Sequence, residues 1–148
     1  NYEDDKPVKK LSHQELLEVS CDVLVLSALE NSITEKNADK IQAKVILELA
    51  NGPITAEGDA ILEQKGIEVI PDILANAGGV TVSYFELVQN QMNYYWTNEE
   101  IQHKLSLIMR QAYKNVKQNA KTYNCSLRMG AFVTALQRLE KKLRARGL

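Results

Sequence analysis

The sequence predicts an α/β fold: a parallel sheet of about three strands with flanking helices, followed by C-terminal helices. Three observations carry this. Short, wholly apolar runs at Val23–Leu26 and Val45–Leu47 and a third strand-like segment at Ile67–Ile70 recur about 22 residues apart, a spacing that leaves room for crossover helices and disfavours hairpins. Each interval contains helix-start signals. Beyond Asp72 the apolar residues instead recur at every third and fourth position, the period of helices packed on one face. At 148 residues and 16.7 kDa the chain has the size of one domain. A compact chain of that length hides roughly two-thirds of its unfolded surface.

In chain order, residues 1–10 are polar, with Pro7 and the pair Lys9–Lys10, and read as a frayed lead-in. Ser12 and Glu15 form a capping-box pattern, so a short helix should follow through Leu16 and Leu17. Val23–Leu26 reads as a strand buried on both faces. Thr34 is placed to cap a short helix over Glu35–Ile41. Val45–Leu47 is the second strand, extending towards Leu49 and broken by Asn51-Gly52-Pro53. Thr55 opens a helix over Ala56–Gln64 that Gly66 ends, and Ile67–Ile70 is a third strand stopped by Pro71. Val80, Ser83, Tyr84, Leu87 and Val88 then predict a helix from about Gly78–Val80 to Gln91. Thr97 and Glu100 form a second capping box. A long helix with an apolar stripe from Ile101 to Ala120 follows it. After a break at Tyr123–Ser126, Met129, Phe132, Val133, Leu136, Leu139 and Leu143 trace a last helix.

Composition narrows the class. The apolar share is 45% and the charged share 25%, which excludes collagen-like, low-complexity and disordered chains. No apolar run approaches the ~20 residues that span a bilayer, and residues 1–20 hold no signal-peptide core, so no membrane partner is expected. Cys21 and Cys125 form neither a disulfide framework nor a metal-type spacing, which points to a reducing cytoplasmic setting. The net charge of −1 conceals a split: 15 acidic and 7 basic residues over 1–74, against 4 and 11 over 75–148. Lys114, Lys117 and Lys121 recur at helical spacing with no interleaved aromatics to stack bases, so a solvated helix face is the better reading and no nucleic-acid partner is expected.

The seven glycines build neither G-x-G-x-x-G nor a phosphate loop. His13 and His103 lie far apart, so no metal site follows. Tyr94-Tyr95-Trp96 reads as a packing corner. Two segments remain. Asn51-Gly52-Pro53 follows the second strand, and Asn76-Ala77-Gly78-Gly79 follows the third and opens a helix. In open parallel sheets ligands bind beyond the carboxyl ends of the strands. Gly78 and Gly79 remove two β-carbons there, and a helix start favours a carboxylate or phosphate. Val80 and Ser83 share one face of the first turn. A bland alternative stands beside this: a tight turn with Asn76 as cap and Ser83 bonding back to the helix backbone.

The wording of these segments adds to the spacing. Ala28-Leu-Glu-Asn31, Asn37-Ala-Asp-Lys40, Ala50-Asn-Gly-Pro53, Tyr94-Tyr-Trp96, the Arg128–Leu139 stretch and above all the block Pro71-Asp-Ile-Leu-Ala-Asn-Ala-Gly-Gly-Val-Thr-Val-Ser-Tyr-Phe-Glu86 resemble the carboxy-terminal half of hexameric glutamate dehydrogenases, over about residues 11–146. The resemblance implies NAD(P)-dependent oxidative deamination of L-glutamate to 2-oxoglutarate and ammonia. It also implies a partial Rossmann-like sheet, the carboxy-terminal portion of a dinucleotide-binding domain spanning residues 1–148. By the resemblance, Asn51 contacts the ribose on the nicotinamide side and Asn76 lies beside nicotinamide and substrate. The backbone at Ser27 and Ala28 lines the dinucleotide. Val80 and Ser83 touch the substrate side chain, the Ser83 hydroxyl bonding its distal carboxylate. That hydroxyl favours glutamate over the substrates of the leucine, valine and phenylalanine dehydrogenases of the same family, the nearest alternative.

The family's catalytic lysine and aspartate, and its main substrate-carboxylate lysine, belong to an amino-terminal domain with no counterpart in these 148 residues. The glycine-rich pyrophosphate turn and the acidic residue that distinguishes NAD from NADP also fall upstream in the family pattern. Leu26 stands where proline is common and Leu49 where glycine is common. The resemblance therefore implies a fragment with no catalytic residue of its own, inactive alone, from a parent that forms a homo-hexamer. The isolated fragment is expected to self-associate through the unpaired Val23–Leu26 edge. A stand-alone α/β binding or interaction module is the alternative from another functional class.

Overall fold

A computed structural model describes residues 10–147; the polar lead-in 1–9 lies outside them. Ser12 accepts from the Glu15 amide and Glu15 answers to the Ser12 amide, starting α1 (His13–Leu17). The sheet comprises β1 (Val23–Leu26), β2 (Val45–Glu48) and β3 (Glu68–Ile70), all parallel in the order β1-β2-β3. Between β2 and β3 runs α2 (Ala56–Gln64), capped by the Thr55 hydroxyl on the Gly58 amide and closed by Gly66 at φ +72. The expected helix over Glu35–Ile41 shrinks to a 3-10 turn at Ala38–Lys40. The Asn37 side chain accepts from the Thr34 amide and donates to the Ser32 carbonyl, and these local bonds compete with helix propagation.

The register Leu24↔Ile46↔Val69 with Leu26↔Glu48 places these five residues on one face. Most of this face packs with Leu17, Ile33, Ile41, Ile54 and Leu62. The other face carries Val23, Val25, Val45, Leu47 and Ile70. Among the described residues it is covered at the β3 side, where Ile70 meets Leu74, Val116, Ala120, Leu127 and Ala131. The expectation that Val23–Leu26 is buried on both faces is thus corrected: Val23 is 52% exposed and Val25 46%. β1 is an edge strand whose Val23–Val25 face is left exposed.

The helical half is α3 (Asp72–Ala75), α4 (Ala77–Met92), α5 (Asn98–Tyr123) and α6 (Leu127–Ala145). The turn α3 was not expected; it interposes between β3 and the glycine pair. Thr97 and Glu100 complete the capping box that starts α5. Asn124 in the left-handed region and Ser126 as N-cap reverse the chain between α5 and α6. The two helices run antiparallel, with Asn119 donating to Thr134 and Gln137. They cross closely because position 130 is glycine: a β-carbon there would stand 2.7 Å from the Val116 carbonyl oxygen. On α4 the buried residues are Phe85 and Gln89, and the predicted stripe is displaced: Val80, Tyr84 and Leu87 face outward. On α6 Met129, Phe132, Leu136, Leu139 and Leu143 of the stripe are likewise exposed and Val133 half-buried, while Leu127, Gly130, Ala131 and Thr134 are the buried positions. Trp96 packs edge-on against Phe85 at 5.6 Å and lies under the Lys104 ammonium, as a packing corner should, whereas Tyr94 and Tyr95 are exposed.

Candidate functional site

The carboxyl ends of β1 and β2 are tied together by the Leu26 carbonyl, which accepts from the amides of both Leu49 and Ala50 at 2.8 Å. Beyond this tie the chain turns at Asn51-Gly52-Pro53. Gly52 takes φ +54, a conformation in which a β-carbon is strained. Its carbonyl accepts from the Asn31 amide at 2.9 Å, and the Pro53 carbonyl accepts from the Ile33 amide at 3.0 Å. A bridge between Ile33 and Ile54 completes the support. The bend therefore rests on the loop that follows β1, with Pro53 and Ile54 buried.

Asn76 sits at the junction of α3 and α4 and makes no side-chain cap bond, contrary to the bland reading of that residue. Its amide nitrogen donates to Asn51 Oδ1 at 2.7 Å and to the Leu49 carbonyl at 3.4 Å. The Leu49 carbonyl can only accept, so it orients the Asn76 amide, and Asn76 in turn orients Asn51. Asn51 Nδ2 and Asn76 Oδ1 are left without a side-chain or backbone partner among the described residues. Both asparagines line an open groove of about 740 Å³ together with Ala28, Leu29, Glu30, Leu49 and Ala50. One free amide donor and one free acceptor, fixed in orientation at the sheet's carboxyl edge, suit a ligand that presents hydroxyl or carboxamide groups.

The remaining predicted residues take other positions. Ser27 is exposed, one residue past β1 and next to Ala28 in the groove wall. Val80 is 70% exposed on the first turn of α4. Ser83 is exposed as well, and its hydroxyl donates to the Gly79 carbonyl at 3.2 Å, the back-bonding that the bland reading describes. The helix start is less open than expected, because Asn76 and Gly79 already donate their amides to the Asp72 and Asn76 carbonyls. No cluster of three or more metal-ligating side chains occurs among the described residues.

Sequence reasoning missed a buried charge cluster beneath this groove. Glu48, the last residue of β2, is fully buried. It accepts two bonds from the Arg128 guanidinium at 2.8 and 3.0 Å, and one from the Asp72 amide at 2.8 Å. Asp59 takes Arg128 Nε at 2.8 Å, and Asp72 lies 3.7 Å from the same guanidinium. Burial alone would lower the Arg128 pKa, but the hydrogen bonds it donates to Glu48 and Asp59 outweigh it and hold the group above its ordinary value. The available signal was Glu48 itself: an acid continuing a buried apolar strand requires a cationic partner.

The family model for glutamate/leucine/phenylalanine/valine dehydrogenase matches residues 1–147. Among curated proteins, the cryptic catabolic NAD-specific glutamate dehydrogenase GudB of Bacillus subtilis (strain 168) is 45% identical over 137 residues, covering 93% of this chain and 32% of the relative. The crystal structure of glutamate dehydrogenase from Peptoniphilus asaccharolyticus aligns with a TM-score of 0.80 at 46% identity, covering 83% of this chain and 31% of that one. The Leu-bound hetero-hexameric glutamate dehydrogenase from Thermus thermophilus aligns with a TM-score of 0.89 at 34% identity, covering 96% and 34%. The chain spans about a third of the length of the curated relatives it matches.

Proposed function

This chain belongs to the glutamate/leucine/phenylalanine/valine dehydrogenase family, and from that premise we propose that it forms the nicotinamide side of the cofactor site, and one wall of the substrate pocket, in an NAD(P)-dependent glutamate dehydrogenase. The reaction is oxidative deamination of L-glutamate to 2-oxoglutarate and ammonia, with the bound dinucleotide supplying the hydride acceptor. Residues 1–148 act as the carboxy-terminal portion of the dinucleotide-binding domain. The observation that carries the reading is the Asn51–Asn76 amide pair, hydrogen-bonded at 2.7 Å in the groove at the sheet's carboxyl edge.

In this reading Asn51 binds the ribose and Asn76 orients the nicotinamide against the substrate. The Ser27–Ala28 backbone lines the dinucleotide, and Val80 packs on the substrate's methylenes. Ser83 releases the Gly79 carbonyl to donate its hydroxyl to the distal carboxylate. A reducing cytoplasmic setting suits the two free cysteines, and no helix of the described residues is long and apolar enough to cross a membrane. The whole enzyme assembles as a homo-hexamer.

In the full-length enzyme, Asn51→Ala and Asn76→Ala should each weaken NAD binding about ten-fold, the effect of losing about one good hydrogen bond. Unchanged NAD affinity in both would overturn the assignment. The 148-residue chain by itself should produce no NADH from glutamate, and clear turnover would contradict the reading just as directly.

A further inference from the structure

Resting on the cofactor role proposed for Asn51 and Asn76, we infer that Asp72 is the positioning residue that sets these two side chains against each other, and that the buried Glu48–Arg128 pair holds Asp72 in register. Asp72 grips both partners. Its carboxylate Oδ2 accepts from the Gly52 amide at 2.8 Å. That amide belongs to the peptide plane joining Asn51 to Gly52, so its direction sets the backbone torsion from which the Asn51 side chain departs. The Asp72 carbonyl accepts from the Asn76 amide, one helical turn on, at 3.0 Å. A single residue thus anchors the backbones of both asparagines.

The anchor is itself fixed on the protein's inner side. The Asp72 amide donates to Glu48 Oε2 at 2.8 Å, and the second carboxylate oxygen accepts from the Ile73 amide at 2.7 Å. Glu48 is in turn clasped by both terminal nitrogens of Arg128, reaching in from the first turn of α6. The Gly52 amide has no other acceptor among the described residues. Pro53 offers no N–H, and the Gly52 carbonyl is held from the opposite side by Asn31. Without the Asp72 carboxylate the peptide between Asn51 and Gly52 loses its only side-chain restraint among the described residues.

The test compares Asp72→Ala, Asp72→Asn, Asn51→Ala and Asn76→Ala in the full-length enzyme, by NAD dissociation constant from fluorescence titration and by KM and kcat for glutamate. Asp72→Ala should weaken NAD binding about five-fold or more. Asp72→Asn keeps one accepting oxygen, which can take the Gly52 amide while the Ile73 amide loses its side-chain partner, and should recover part of the affinity lost in Asp72→Ala. Loss of packing alone would lower the active fraction without moving the dissociation constant and without rescue by asparagine. The inference is overturned if Asp72→Ala leaves NAD affinity within about two-fold of the parent, or if Asp72→Asn is as weak as Asp72→Ala. Asn51→Ala and Asn76→Ala separate the two levels: if neither affects NAD, the cofactor assignment fails. If both weaken NAD binding and Asp72→Ala does not, only the positioning role fails. Should Asp72→Ala be insoluble, Asp72→Ser, whose hydroxyl stops short of the carboxylate oxygens, takes its place with the same readouts.

Discussion

Removing the guanidinium at position 128 strands a carboxylate. Glu48 has 0% relative exposure, and in Arg128→Ala its remaining partner is the Asp72 amide. Taking one member from a buried ion pair costs about 3–5 kcal/mol, because the other charge stays desolvated and uncompensated. The Arg128 side chain keeps 22% exposure, so water reaches part of the vacated space and the expected loss is about 3 kcal/mol. Urea unfolding of the chain at neutral pH, followed by far-ultraviolet circular dichroism and by the fluorescence of Trp96, the single tryptophan, measures it. With a denaturant slope of ~2 kcal/mol per molar, the midpoint should fall by about 1.5 M. Arg144→Ala is the control: it removes an exposed i,i+4 pair with Glu140 and should cost about 0.3–0.5 kcal/mol. Combining Glu48→Gln with Arg128→Met removes both charges while keeping an acceptor for the Asp72 amide, and should recover at least about half the loss. A midpoint shift for Arg128→Ala no larger than that of Arg144→Ala would refute the reasoning.

Gly130→Ala should destabilise by about 1–3 kcal/mol in the same assay, since backbone atoms of α5 must yield. Gly79→Ala, where no atom lies within 4 Å of the new β-carbon, should gain up to about 1 kcal/mol of helix propensity. Because the Arg128 pKa is raised, its contribution is complete below the unfolded-state value and is lost only as pH rises through the still higher folded value. The stability difference between parent and the Glu48→Gln/Arg128→Met double variant, which leaves no stranded acid at position 48, should therefore match at about pH 7 and about pH 9, and a difference shrinking by pH 9 would contradict this. Light scattering on the isolated chain should show dimers or larger species, with Val25→Lys shifting them towards monomer; a clean monomer at high concentration would count against edge pairing at β1. In the full-length enzyme, Ser83→Val should raise KM for glutamate more than it changes NAD affinity, and an unchanged glutamate KM removes Ser83 from the substrate wall.

The parts of the fold that were legible in the sequence are those written locally. The capping boxes at Ser12 and Thr97, the Thr55 cap with Gly66 at the far end of α2, and the three apolar runs each place an element to within a residue or two. The errors come where local signals depend on what lies opposite. An apolar run shows that a strand can be buried on both faces, not that a second layer reaches it, and among the described residues β1 has none on the Val23–Val25 side. The same holds for the stripes of α4 and α6. Period 3.6 identifies an apolar face, yet the inward faces prove to be those with Phe85 and Gln89, and with Gly130 and Thr134, the latter because small residues admit the close crossing with α5. The turn α3 escaped notice because Pro71 ends a strand and begins a helical turn at once.

The candidate site divides along the same line. Its position was legible, because Asn51 and Asn76 each follow a strand of one parallel sheet, and parallel strands present their carboxyl ends on a common edge. What aligns them was not. Glu48 and Arg128 are 80 residues apart, and Asp59 and Arg128 are 69 apart, so no window of sequence contains the cluster. Its logic is a chain of obligations. A carboxylate at the end of β2 must be neutralised, and the arginine that does so comes from α6. The lone pairs left over on Glu48 then select the amide of Asp72 and so fix where α3 begins. The start of α3 in turn decides how Asn76 meets Asn51, at 2.7 Å. The buried charges thus act on the polar pair of the groove through the backbone and carboxylate of Asp72. On this argument a substitution at Arg128, which lines no part of the groove, should be felt first in the geometry of the bend at Gly52.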